Sequence, residues 1–183
     1  MAKHDAQLVA QCLRGDQNAF GELVRRHQER SFAAALHLVG DREAAEDLTQ
    51  EAFVEAYRGL AGLAEPAKFG AWLYGILRNR CRHYLARRPP QTLSWEADAV
   101  PEPAINDPEP QASELIPLLH TLPQDSREIL AARYLHDMSY AEIAQMLGVS
   151  VGNVRVRCFR AREALRELLA QSGAEMAPQG GGM

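Results

Sequence analysis

Cysteine is scarce in this chain. Cys12, Cys81 and Cys158 are odd in number and far apart in 183 residues, which excludes a disulfide framework and a paired-cysteine metal knuckle. A reducing cytoplasm is expected, with each thiol acting as a small, semi-buried apolar side chain. Long apolar runs are missing too: none approaches the roughly 20 residues that span a bilayer. The opening MAKHDAQLVAQCLRGDQ is broken by Asp5, Gln7, Gln11 and Arg14, unlike a signal peptide. Six scattered histidines come with no HExxH and no glycine-rich phosphate loop, so no cofactor, no metal and no catalytic activity are expected.

What is present is helical periodicity. Apolar residues recur at three- and four-residue spacing on both sides of one interruption, and nothing alternates long enough for a strand. The expected fold class is all-α, with two small helical domains joined by a flexible linker. The interruption is 89–113, PPQTLSWEADAVPEPAINDPEPQAS, whose prolines and acids sustain neither helix nor ladder. Before it, GDQ (15–17), GDRE (40–43) and GLAGLAEPAK (59–68) pair a glycine stop with an Asp start or a Pro. They predict helices near 5–14, 17–38, 42–59 and 67–87. After it, helices are expected over 111–120, 125–134, 139–147 and 151–169, with GAEMAPQGGGM (173–183) aperiodic and disordered.

The formal net charge of −4 hides a partition of sign. Residues 66–88 hold Lys68, Arg78, Arg80, Arg82, Arg87 and Arg88 and no acid, whereas 89–113 hold acids and no base. A second basic stretch, GVSVGNVRVRCFRAR (148–162), carries Arg155, Arg157, Arg160 and Arg162. Local patches rather than whole-chain charge decide nucleic-acid binding, so both stretches are candidates. SYAEIAQMLGVSVGNVRVRCFRAR sets a short helix, a turn with Gly148 as the left-handed stop, and a longer helix capped by Ser150, the layout of a helix-turn-helix. At about 100° per residue, Val151, Val154, Cys158, Ala161, Leu165 and Leu168 face the core. Gly152, Val156, Phe159, Arg160 and Glu163 point the other way, with Arg155 on the flank. Phe beside Arg suits a major groove, where Arg forks onto guanine and Phe lies on a thymine methyl.

In the first half, DREAAEDLTQEAFVEAYRGL brings Glu43, Asp47, Gln50, Glu51 and Glu55 within helical reach, with Ala44, Leu48, Ala52 and Tyr57 on the other side. Like charges at i, i+4 oppose an isolated helix and suit an acidic surface offered to a basic partner. The basic helix that follows interleaves Phe69, Trp72, Tyr74 and Tyr84, as capture of a single strand requires. Phe69, Leu73, Ile76 and Tyr84 share a face and are assigned to the core.

LPQDSREILAARYLHDMSYAEIAQMLGVSVGNVRVRCFRAREALREL resembles the C-terminal promoter-binding domain of bacterial sigma factors of the small extracytoplasmic-function (ECF) class. GDREAAEDLTQEAFVEAYRGL followed by KFGAWLYGILRNRCRHYLARR resembles the polymerase-binding and promoter-melting region of the same family. The resemblance covers most of 5–88 and 112–170, in the family's order. It implies region 2 at 1–88, the linker at 89–113, region 4 at 114–172 and a tail at 173–183. By that analogy Gly152, Asn153, Arg155, Val156, Arg157, Phe159 and Arg160 meet the minus-35 element, with Asn153 and Val156 standing where the family often has Thr and Ser. Leu60, Gly62, Leu63, Lys68, Trp72, Asn79 and Arg80 match the minus-10 contacts, and the loop 60–65 matches the segment that takes a flipped-out base. Many relatives have an aromatic where Leu63 stands, so apolar pocketing is expected there. Asp47, Leu48, Gln50 and Glu51 match the positions that dock on the clamp coiled coil of the largest polymerase subunit. Implied partners are core RNA polymerase, promoter DNA and an anti-sigma factor, with no membrane insertion and no cofactor.

A stand-alone helix-turn-helix repressor or activator with an N-terminal dimerisation or sensing bundle would explain the Arg155 helix equally well. It leaves the acidic helix and the first basic helix without a role.

Overall fold

The computed structural model describes residues 2–87, 119 and 122–175. The expected linker 89–113, the expected helix over 111–120 (Leu119 apart) and residues 176–183 lie outside the described residues. Among the described residues every regular element is a helix. The first group is α1 (Ala2–Leu13), α2 (Gln17–Val39), α3 (Arg42–Gly59) and α4 (Phe69–Ala86), with single 3-10 turns at Leu60–Gly62 and Pro66–Lys68 before α4. The second group is α5 (Gln124–Tyr134), α6 (Tyr140–Leu147) and α7 (Val151–Glu175).

The boundaries have the chemistry the sequence predicts. Asp16 and Asp41 start α2 and α3 by accepting the backbone N–H groups of Asn18 at 3.0 Å and Ala44 at 3.1 Å. Gly40 ends α2 at φ 70, a left-handed conformation that costs a residue without Cβ little, and its N–H donates to the Leu36 carbonyl at 2.8 Å. Ser139 and Glu142 form a reciprocal capping box at the start of α6.

Alanines set the packing of α2 against α3: Ala34 and Ala35 on one helix and Ala45, Ala52 and Ala56 on the other are fully buried. Small side chains let helix axes approach closely. On α4, Phe69, Leu73, Leu77 and Cys81 lie four apart and are buried together. Burying each of the large ones contributes about 1.5–3 kcal/mol. The cysteines behave as apolar fillers: Cys81 and Cys158 are buried, and burial pushes the Cys81 thiol up to about 12.

The structure departs from the periodicity at three places. Tyr57 is about half exposed instead of core, because its ring sits at the margin of the bundle and packs edge-on against Phe20, centroids 4.9 Å apart. Val151, in the first turn of α7, is also exposed, since the helix begins before it reaches the core. Helix α7 continues to Glu175, beyond the expected end at 169. Of the four residues assigned to the core face of α4, Phe69 and Leu73 are fully buried, while Ile76 and Tyr84 pack partly buried against its edge.

Helix α5 is buried nearly all round, at Ser126, Glu128, Ile129, Leu130, Ala131 and Ala132. A short helix buried on every side needs partners on every side. It has them: α7 and α6 from its own group, and α2 and α4 from the first. Among the described residues Tyr74 is the largest fully buried side chain, and its hydroxyl donates to the Glu128 carbonyl at 2.7 Å.

Candidate nucleic-acid interface

The helix-turn-helix of α6 and α7 is built as its sequence predicts. Gly148 stands at φ 69, with its N–H donating to α6 carbonyls, and the Ser150 hydroxyl accepts the Asn153 N–H at 3.2 Å. Val154, Cys158, Ala161 and Leu165 seat α7 on the core, with Leu168 packed partly buried beside them. Opposite them Arg155 is exposed, and Gly152, Asn153, Val156, Arg157, Phe159 and Arg160 are half-buried along the same helix. Phe159 is therefore partly covered within the protein rather than standing clear in water. Arg162 separates from the other arginines: it is 5% exposed, on the buried side of α7, and does not belong to the outward basic face.

The minus-10 set divides. Lys68 and Trp72 are half-buried, Asn79 and Gly62 are exposed, Leu63 is half-buried and Leu60 is core. Trp72 lies under α3, where a Cβ added to Gly59 would sit 3.5 Å from the indole ring, so glycine there leaves room for it. Lys68 is bonded to Glu65 at 2.9 Å, which together with the charge of Glu142 raises its pKa. Arg80 points elsewhere: its Nη1 meets Glu51 at 2.7 Å and its Nε meets Glu55 at 2.8 Å, tying α4 to the acidic face of α3.

That acidic face is real as a surface. Asp47, Gln50 and Glu51 are exposed, whereas Leu48, grouped with them by resemblance, is 7% exposed. Val54 and Tyr57 continue the same outward stripe at three- and four-residue steps from Gln50, and each is about half exposed. Sequence reasoning passed over Val54 and placed Tyr57 on the opposite side of the helix. An apolar residue four beyond Gln50 on an otherwise charged face was the available signal.

The basic helix α4 also held a surprise. Arg78 and Arg82, counted by composition toward nucleic-acid binding, point at the second helix group: Arg78 Nε donates to Glu128 at 2.6 Å and Arg82 Nε to the same carboxylate at 2.8 Å. No local pattern around Glu128 announces this, because the partners lie 50 and 46 residues away. Among the described residues there is no cluster of three metal-ligating side chains, and no helix is long and apolar enough to cross a membrane.

Comparison with known proteins converges on one family. Residues 23–89 match the family described as Sigma-70 region 2, and residues 113–165 match Sigma-70, region 4. The chain is 35% identical over 183 positions to RNA polymerase sigma-H factor of Pseudomonas aeruginosa, with 91% of this chain and 94% of that protein covered. It is 34% identical over 176 positions to ECF RNA polymerase sigma-E factor of Escherichia coli K12, covering 88% and 92% respectively. Its structure is similar to CnrH, solved with the cytosolic domain of CnrY, at a TM-score of 0.68 and 30% identity over 92% of this chain and 98% of that one. A second similar structure is sigma factor RpoE in complex with the anti-sigma factor NepR from Bartonella quintana, at a TM-score of 0.63 and 26% identity over 82% and 96%. With both family regions matched in order and full-length relatives above 30% identity, the chain belongs to the sigma-70 family of bacterial RNA polymerase sigma factors, in its ECF class.

Proposed function

We propose that this protein is a cytoplasmic transcription-initiation factor without catalytic activity of its own. It binds core RNA polymerase, directs it to a promoter with separated minus-10 and minus-35 elements, and is held in check by an anti-sigma factor. In this reading 1–88 grip polymerase and melt DNA, 89–113 are the connection, and 114–172 read the minus-35 element, with α7 running on to Glu175 before the tail. Asp47, Gln50 and Glu51 meet the polymerase clamp, with Leu48 holding their helix in place. Trp72, Asn79 and Lys68, with the loop carrying Leu60, Gly62 and Leu63, meet the melted minus-10 strand. Arg155, Arg157 and Arg160, with Gly152, Asn153, Val156 and Phe159, enter the minus-35 major groove. Arg80, bound to Glu51 and Glu55, reaches the minus-10 strand once polymerase takes those carboxylates.

The observation that carries the reading is the coexistence on one chain of an exposed acidic stripe on α3 and an outward basic face on the second helix of a helix-turn-helix. A repressor needs the second and has no use for the first. Reversing Asp47 and Glu51 to Lys is expected to abolish co-elution with core polymerase and promoter-specific run-off transcription while leaving helicity intact. A stable dimer that ignores core polymerase in gel filtration would instead make the protein a stand-alone DNA-binding regulator.

A further inference from the structure

The stretch 60–68, which carries Leu63 and Lys68 up to the start of α4, holds only two single 3-10 turns. Its backbone bonds are local: the Leu63 N–H donates to the Leu60 carbonyl at 3.1 Å and the Lys68 N–H to the Glu65 carbonyl at 2.8 Å. Such bonds shape the turns without fixing where the loop stands against the bundle. Packing decides that, and the Pro66–Lys68 turn packs chiefly on α1. Helix α1 is seated in its turn by Val9, fully buried, with Leu8 and Cys12 partly buried beside it. It lies ahead of residue 23, where the match to region 2 begins.

A polar contact ties α1 to the start of α4. His27 Nε2, on α2, donates to Asp5 on α1 at 2.8 Å, with side chains 14% and 13% exposed, and Arg26 approaches the same carboxylate at 3.5 Å. A ring nitrogen that donates to a carboxylate carries the proton, so this bond fixes both the tautomer and the orientation of the ring. The ring also meets the first turn of α4. It stands edge-on to Phe69, centroids 5.3 Å apart, and a Cβ added to Gly70 would lie 3.0 Å from its Cε1. Phe69 is fully buried and packs in its turn against Trp72, centroids 6.1 Å apart. His27 is thus a wedge between α1 and the residues that end the loop. Glycine is a poor helix former, and its place at 70 is explained by the ring it makes room for.

We propose that α1 braces the 60–68 loop, and that His27, held by Asp5, is the positioning residue that sets where Leu63, Lys68 and Trp72 stand, and through them which base the loop accepts. This role rests on the minus-10 reading above. His27 touches no DNA in it; the ring acts by fixing the loop before the strand arrives. A loop already in place binds its base without first being ordered, so the base that fits the fixed shape is favoured. A loosened loop adapts to several bases, as flexible recognition surfaces do, and loses the distinction among them.

Two measurements on the full chain test this role. Hydrogen exchange followed by mass spectrometry reads the brace: Asp5→Asn and His27→Leu should each speed amide exchange of the 60–68 peptide about ten-fold, as loss of a hydrogen bond to a charged group does, while α7 peptides keep wild-type rates. His27→Gln, which keeps an N–H donor at similar reach, should stay near wild type. Run-off transcription with core polymerase reads the consequence, on templates in which the minus-10 element of a promoter selected by the wild-type holoenzyme is randomised. There Asp5→Asn and His27→Leu should flatten preference at one base by about five-fold, with core binding and minus-35 preference unchanged. Gly70→Ala separates positioning from mere stability. On helix propensity alone it stabilises the protein and leaves preference untouched; pressed against His27 it shifts the preference, and in a His27→Ala background it adds nothing. Unchanged exchange of 60–68 in Asp5→Asn and His27→Leu, or faster exchange with unchanged base preference, overturns the role. If wild type yields no promoter-specific transcript while exchange responds as expected, the initiation-factor reading falls and the brace stands.

Discussion

Helices α4 and α7 are both rich in arginine, yet the fold treats their charges differently. On α4 the arginines at 78, 80 and 82 are all occupied by carboxylates: Arg78 and Arg82 by the second helix group, Arg80 by α3. On α7 the fold buries Arg162, while Arg155 is exposed and Arg157 and Arg160 are half-buried along the helix. A count of cations along a helix therefore overstates its appetite for nucleic acid. What decides is which carboxylates the tertiary structure brings up to it, and those come from other helices. Because α4 is held between α3 and α5 while α7 keeps one outward side, the two helices should also respond differently to substitution.

The largest effects should come from the anchors beneath each helix. Leu77→Ala on α4 and Leu165→Ala on α7 both empty fully buried sites, and each should cost about 2–5 kcal/mol in urea unfolding. If the helix groups unfold as one unit, both substitutions shift a single transition; separate transitions would show that the contact between the groups breaks first.

Acid should act on the α4 side before it acts on α7. Burial, then the charges of His27 and Arg30, push His136 down to about 3 in the folded protein, against an ordinary value near 6.5. The unfolded chain therefore takes up a proton that the folded protein refuses. The stability this neutral histidine lends is complete above pH 6.5 and declines as pH falls toward 3, at about 1.4 kcal/mol per unit. The groups facing it are the Tyr74 ring, His27 and Arg30. A loss of stability in urea unfolding between pH 6.5 and 5 that disappears in His136→Phe is the expected result. A flat profile in wild type would remove the histidine from the energetics of the fold.

A smaller effect separates contacts along α7 itself. Arg160→Ala should cost about 1–3 kcal/mol on the preferred minus-35 duplex and relax preference at one or two base pairs, as loss of a forked base contact does. Arg157→Ala should weaken all duplexes alike and lower the salt slope by about one unit. Fluorescence anisotropy on matched and scrambled duplexes across a salt series reads both, and indistinguishable outcomes would make α7 a nonspecific clamp.

The smallest effect concerns Arg80. Its partners Glu51 and Glu55 are about half exposed, so the ion pairs are screened and Arg80→Ala should change stability by less than about 1 kcal/mol. Its effect on promoter melting should appear only in the presence of core polymerase. Equal loss of DNA binding with and without polymerase would mean that the carboxylates do not compete for it.

Most of the helical architecture could be read locally. Asp16, Gly40, Asp41, Gly148 and Ser150 act within a few residues of themselves, so their caps and stops follow from neighbours in sequence. The outward face of α7 and the acidic stripe of α3 were legible for the same reason, since both are periodic patterns along one helix. Tyr57 and Val151 were misplaced because a helical wheel gives direction but not depth: whether a face meets the core depends on where the neighbouring helices end.

The sequence by itself determined an all-α chain, the order of its helices, and two surfaces of opposite charge on two recognisable motifs, because all of these rest on contacts within one helical turn or on local composition. Only the tertiary structure decided that Arg78 and Arg82 are spoken for, that Arg162 is buried, that Arg80 leans on the acidic stripe, and that α5 is closed in on every side. Those outcomes depend on carboxylates dozens of residues away, and charge pairing across such distances leaves no periodic trace in a single sequence.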